Sequence, residues 1–92
     1  MKLNEMLRNI TSLQVIGDAE MEIKGVNIDS RKIQHGHLFV AVKGTQVDGH
    51  QYIDKAIEQG ATAVLCETLP QTLAKGVTFV QVADTEDAVG KV

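Results

Sequence analysis

Between residues 37 and 82 the chain runs through HLFVAV (37–42), QYIDKAIEQ (51–59), ATAVLCE (61–67), LPQTLAKG (69–76) and VTFVQV (77–82). That order leaves few folds open. Short, almost uninterrupted apolar runs are the signature of strands covered on both faces. The segment between the first two runs places Tyr52, Ile53, Ala56 and Ile57 at helical spacing, so it reads as a helix with those four side chains inward. Asp48 is its candidate N-cap and Gly60 its natural stop. A strand, a crossover helix and a second strand make a parallel pair. The fold class expected is therefore α/β: a small, mostly parallel or mixed sheet flanked by helices. In open parallel sheets, ligands sit beyond the carboxyl ends of the strands.

The flanks are less regular. Residues 3–10 read as a short helix, with Leu3, Met6, Leu7 and Ile10 on one face. LQVIG (13–17) and EIKGVNI (22–28) read as short strands of a first, irregular layer, with Gly25 a candidate bulge. Asp84 is expected to open a further helix, with Asp87 three residues on in a capping-box arrangement. That helix has barely two turns before the sequence stops, and its apolar stripe, begun by Ala88 and Val92, is incomplete. A helix so short is marginal by itself. The expectation is that residues 1–92 form a single domain that is a piece of a longer polypeptide.

Charge and composition exclude several functions. With a net charge of −3 and only Phe39, Tyr52 and Phe79 aromatic, the chain offers neither a basic nucleic-acid surface nor a stacking platform. No apolar stretch reaches membrane-spanning length, and MKLNEMLRNI lacks the core of a signal peptide. Cys66, the one cysteine, cannot form an internal disulfide, which fits a reducing cytoplasm. It also cannot build a thiolate zinc site, and His35, His37 and His50 lack metal-ligand spacing, so no metal is expected. In mid-strand, with no activating base beside it, Cys66 reads as a buried structural thiol.

Two stretches carry binding chemistry. GTQVDGH (44–50) is longer than a tight strand-to-helix turn needs. Gly44 and Gly49 permit backbone angles closed to other residues, and Gly49 is a candidate for a left-handed conformation. Thr45 and Gln46 offer side-chain hydrogen bonds and Val47 an apolar contact. Asp48 would itself occupy the helix cap, so the sugar or base of a nucleotide suits this loop better than a bare phosphate. The second stretch is NIDSRK (27–32). Ser30, expected as an exposed turn hydroxyl, can donate and accept toward a ribose, base or phosphate. Asp29 and Ser30 can equally satisfy their own backbone in a local turn. Arg31 and Lys32 can meet an anion or simply be solvated. Neither G-x-x-x-x-G-K-[ST] nor G-x-G-x-x-G occurs, and no nucleophile has a partner base.

Taken together, DSRKIQHGHLFVAVKGTQVDGHQYIDKAIEQGATAVLCE resembles the N-terminal domain of the Mur ligases. The shared pattern is D-S-R, a glycine, an L-F-V-A strand, G-x-x-x-D-G-H, a helix ending in G-A, and a buried strand. It covers residues 28–67 densely. Within the family the form is closest to members that add the third residue of the peptide. Members that add D-alanyl-D-alanine are the neighbouring alternative, and a stand-alone nucleotide-sugar-binding or interaction module is another.

The resemblance implies a three-domain, ATP-dependent amide ligase whose first domain holds a UDP-N-acetylmuramoyl peptide. ATP and Mg²⁺ would belong to a central ATPase domain, a partner in the same chain, with no cofactor bound by this fragment. This chain alone is then expected to catalyse nothing. By position, Ile28, Ser30, Thr45, Gln46 and Val47 match substrate-binding residues. Asp29, Arg31, Gly44, Asp48, Gly49 and His50 match the motif as loop-shaping residues.

Overall fold

The computed structural model describes residues 2–8, 10, 12–42, 48–71 and 73–85. Among these, five strands form one sheet: β1 (Ser12–Ile16), β2 (Gly25–Asn27), β3 (His37–Val40), β4 (Ala63–Cys66) and β5 (Thr78–Val82). Their order across the sheet is β1-β5-β4-β3-β2; β2 to β5 are mutually parallel and β1 is antiparallel to β5. Two α-helices accompany them, α1 (Leu3–Met6) and α2 (Ile53–Gln59).

Alternation along the strands splits the core into two layers. Leu38, Val40, Ala63, Leu65, Val80 and Val82 point to one face, where Leu3 and Met6 of α1 and Ile23 cover them. Phe39, Ala41, Val64, Cys66 and Phe79 point to the other, beneath Ile53 and Ala56 of α2. Both faces are buried, which is why the strand sequences read as continuous apolar runs rather than alternating ones. Burial among apolar neighbours pushes the Cys66 thiol up to about 11.

Strands β2, β3, β4 and β5 are laid down in simple succession across the sheet. Consistent with this, residues from all three connections join the same core layer: Ile33 between β2 and β3, Ile53 and Ala56 between β3 and β4, and Leu69, Ala74 and Val77 between β4 and β5. Successive crossovers of one hand, each moving one strand in the same direction, stack on one face.

Several expectations are corrected. The segments at 12–16 and 25–27 are not a separate layer but the two edges of the single sheet. Gly25 is not a bulge: it pairs in regular parallel register with His37, and a Cβ there would lie 2.8 Å from the His37 ring. The irregular register falls instead between Ser12 and Gln14. The first helix ends at Met6, with Leu7 as its C-cap, although Leu7 and Ile10 still pack on the core. The central helix starts as a 3-10 turn at Gly49–Tyr52 and becomes α-helical at Ile53. Gly60 ends it at φ 122°, as its stop role requires. Thr85 is in helical conformation after Asp84, whereas Asp87 lies outside the described residues.

Candidate functional site

Two turns of like construction meet at the carboxyl edge of the sheet. The first follows β2. Asp29 caps a 3-10 turn, Ser30–Lys32, and its Oδ1 accepts the Arg31 backbone N–H at 2.9 Å. The Arg31 guanidinium then closes on the same carboxylate, Nε to Oδ1 at 3.1 Å and a terminal nitrogen to Oδ2 at 3.0 Å. Those side-chain bonds, and next the backbone bond, hold the Asp29 carboxyl below its ordinary value. The Arg31 side chain is otherwise 83% exposed, so it braces its own turn rather than tying it to the core.

The second turn follows β3. Asp48 caps the 3-10 turn at Gly49–Tyr52, and its Oδ1 accepts both the His50 backbone N–H at 2.9 Å and the His50 Nδ1 contact at 2.6 Å. On the far side of the ring, Nε2 accepts the backbone N–H groups of Glu67 at 3.0 Å and Thr68 at 3.3 Å. An N–H can donate only to an unprotonated ring nitrogen, so the ring proton sits on Nδ1 and points at Asp48. His50 thereby spans from the turn to the end of β4. Glu67 extends the span: its Oε2 accepts the backbone N–H of Thr85 at 3.1 Å and the Thr85 hydroxyl at 3.0 Å. Thr85 is fully buried.

Gly49 has no left-handed backbone; among the described residues the positive-φ glycines are Gly17, Gly36, Gly60 and Gly76. The need for glycine arises from close approach. Its N–H donates to the Val42 carbonyl at 2.8 Å, and a Cβ would stand 2.9 Å from both Val42 N and Val42 O. The 3-10 turn is thus pressed flat against the strand end.

Between the two turns lies a cleft of about 610 Å³, within the size range of small-molecule sites. Ile28, Asp29, Ser30 and Arg31 form one wall; Gly49, Tyr52 and Lys55 form the other, with Val42 between them. Ile28 follows β2 and Val42 follows β3, so the cleft lies beyond the carboxyl ends of two adjacent parallel strands. Strand order does not reverse there, so this is not a switch-point crevice.

Ser30 is not the exposed hydroxyl expected from its turn sequence. It is only 6% exposed, because Asp29 caps the turn and folds the following residue inward. Among the described residues no hydrogen bond engages its hydroxyl. Tyr52 departs from its expected inward position: it is 39% exposed and lines the cleft, because the 3-10 turn rotates it away from the face that Ile53 and Ala56 bury. Ile28 is 58% exposed, an apolar surface on the cleft wall.

The structure thus brings together Ile28, Asp29, Ser30, Arg31 and Gly49 around one cleft, with Asp48 and His50 behind it. Gly44, Thr45, Gln46 and Val47 lie outside the described residues. Lys32 does not line the cleft. Sequence reasoning misses Tyr52 and Lys55 as site residues: their i, i+3 spacing puts them on one helical face but does not say that the face borders a cleft. Glu67 had no local signal at all.

The donor set does not suit ATP and Mg²⁺. No phosphate-cradling G-x-x-x-x-G-K-[ST] occurs in the sequence, and no group of three His, Cys, Asp or Glu gathers among the described residues. No helix among them is long and apolar enough to cross a membrane.

Comparison with known proteins relates the chain to a family and its fold to solved structures. Residues 22–91 match the model of the Mur ligase family, catalytic domain. The chain is 60% identical over 91 residues to the UDP-N-acetylmuramoyl-L-alanyl-D-glutamate–2,6-diaminopimelate ligase of Phocaeicola vulgatus. It is 59% identical over 91 residues to the ligase of the same name from Bacteroides fragilis. In both cases 99% of this chain is covered, and it spans only 19% of the relative's length. A crystal structure of MurF from Acinetobacter baumannii superposes with a TM-score of 0.85 at 23% identity, over 98% of this chain and 19% of that one. At that identity the likeness speaks for the fold. The motif turns, the sheet they flank and the family match over 22–91 agree, and the chain belongs to the Mur ligase family.

Proposed function

We propose that this chain is the N-terminal, substrate-holding domain of a peptidoglycan-precursor ligase, and that its cleft receives the uridine-diphosphate end of a UDP-N-acetylmuramoyl peptide. The observation that carries the reading is the meeting of the D-S-R and D-G-H turns around one cleft at the strand ends. Ser30 lines the cleft with a hydroxyl that has no competing bond among the described residues and would be available to a polar ligand, Ile28 offers an apolar surface to a flat ring, and Asp29 and Asp48 hold the two walls in shape. Thr45, Gln46 and Val47 join Ile28 and Ser30 as substrate contacts on the strength of the motif; Gly44 belongs with the loop-shaping residues.

The full-length protein would then add 2,6-diaminopimelate, as relatives at 56–60% identity are named for doing. The alternative is addition of D-alanyl-D-alanine, the reaction for which a structural relative at 23% identity is named; that likeness speaks for the fold and not for the substrate. Amide formation from a carboxylate and an amine needs activation by ATP with a metal-bridged phosphoryl transfer. Those groups would be supplied by a central ATPase domain of the same polypeptide, in the cytoplasm where the nucleotide precursor is made. This chain binds and orients; it does not ligate.

The test is an NMR titration of the chain with UDP and with UDP-N-acetylmuramoyl-L-alanyl-D-glutamate. Shifts are expected at residues 28–31 and 49–52, larger for the complete substrate. Ser30→Ala should weaken binding by about 2–10-fold through the loss of one hydrogen bond and leave the melting temperature unchanged. Perturbation confined to other residues at saturating ligand, or unaltered affinity in Ser30→Ala, would refute the assignment.

A further inference from the structure

Among the described residues the cleft carries two cations, and they differ in what they have left to give. Arg31 turns its planar fork onto Asp29, meeting both carboxylate oxygens at 3.1 and 3.0 Å. The fork geometry that would grip a phosphate is already engaged, and the pair presents little net charge to the cleft. Lys55 stands on α2, three residues after Tyr52 and so on the same helical face. It lines the cleft and forms no ion pair with any described residue, although Asp54 and Glu58 share its helix. Tyr52 lines the cleft with them, and the Arg31 guanidinium is held above its ordinary value first by Asp29 and to a lesser degree by Tyr52. Asp29 therefore offsets Arg31, and among the described residues the net positive charge on the cleft wall is that of Lys55.

Resting on the nucleotide-sugar reading above, we infer that Lys55 is the residue that meets the diphosphate of the ligand and makes the cleft prefer a nucleoside diphosphate over the bare nucleoside. A lysine suits this role: a compact charge on a flexible stem follows phosphate oxygens without demanding one fixed geometry. Ile28 and Ser30 on one wall and Tyr52 on the other would hold the uridine, and Lys55, on the wall that Tyr52 lines, the phosphates that lead toward the sugar. Because Lys55 is exposed, its contribution is screened by water and salt, so it tunes affinity without deciding whether the domain folds.

The experiment measures dissociation constants of this chain for UDP and for uridine, by NMR titration at low and at elevated salt. The proteins are the parent, Lys55→Gln, Lys55→Arg and Lys75→Gln. Lys75 sits in the turn entering β5, at the opposite edge of the sheet, and serves as a matched loss of charge. The expected result is that the parent binds UDP more tightly than uridine. Lys55→Gln should lose about 3–10-fold for UDP with uridine unaffected, and added salt should shrink the difference. Lys55→Arg should keep most of the preference, and Lys75→Gln all of it. Equal UDP affinity in Lys55→Gln and parent overturns the inference, as does an equal loss for uridine, which marks a structural role. If the parent binds neither ligand at residues 28–31 and 49–52, the nucleotide-sugar reading itself fails, and that outcome is distinct from the other two.

Discussion

His50 gives the sharpest test of how the second turn is held. Its side chain is 15% exposed, and both ring nitrogens are engaged: Nδ1 with Asp48 at 2.6 Å, Nε2 with the backbone N–H groups of Glu67 and Thr68. Replacing it with alanine removes three interactions of unequal weight. The contact with the half-exposed Asp48 is discounted for solvent to about 0.5 kcal/mol. The Thr68 N–H is exposed and turns to water at little cost. The Glu67 N–H is part-buried and loses its acceptor, about 1 kcal/mol. Lost ring packing adds about 0.5–1 kcal/mol. The expected loss is about 2 kcal/mol, or roughly 10 °C in Tm for a domain of this size.

Two further variants separate the ring's two ends. Glutamine places its amide oxygen near the position of Nε2, and asparagine places its amide nitrogen near that of Nδ1. His50→Gln should therefore recover about half of the loss in thermal melts, while His50→Asn should behave like alanine. Amide exchange at Glu67 should quicken in the alanine and asparagine variants alone. The reasoning is refuted if asparagine restores stability and glutamine does not, or if alanine costs under about 0.5 kcal/mol, which would leave the bridge to β4 without energetic consequence.

Two other outcomes follow from the same turns. Gly49→Ala should destabilise by about 1–3 kcal/mol, because its Cβ would meet backbone atoms of Val42 at 2.9 Å; a chemical melt at wild-type midpoint would show that the strand end yields freely. For Asp29, whose folded value is depressed by the Arg31 side chain and then by the Arg31 N–H, the favoured form is the carboxylate. Its stabilisation of the turn is fully present above the ordinary value of 3.8 and is lost as pH falls through the lower folded value. NMR titration of the Asp29 carboxyl should therefore show a midpoint below 3.8, and Arg31→Gln should raise it toward that ordinary value.

Much of the fold is written in local sequence. Apolar runs at 37–42, 61–67 and 77–82 are strands because burial on both faces leaves no room for polar alternation, and Ile53 and Ala56 mark the helix between them by their spacing. Asp29 and Asp48 declare their turns through bonds to residues two positions on, which sequence separation alone makes available. What tertiary structure decided depends on partners distant in the chain. That residues 12–16 and 25–27 are the opposite edges of one sheet follows from pairing with β5 and β3, which no local pattern specifies. Gly49 is required by the backbone of Val42 beside it rather than by its own φ, and Ser30 is buried by the way its turn packs. Tyr52 faces the cleft because a 3-10 turn precedes the α-helix and shifts its angular position. The link from His50 to Glu67 spans 17 residues and that from Glu67 to Thr85 spans 18. Such contacts exist only once the sheet has brought the strand ends together. The residue types and short spacings were legible in the chain; which of them share a wall was settled by packing.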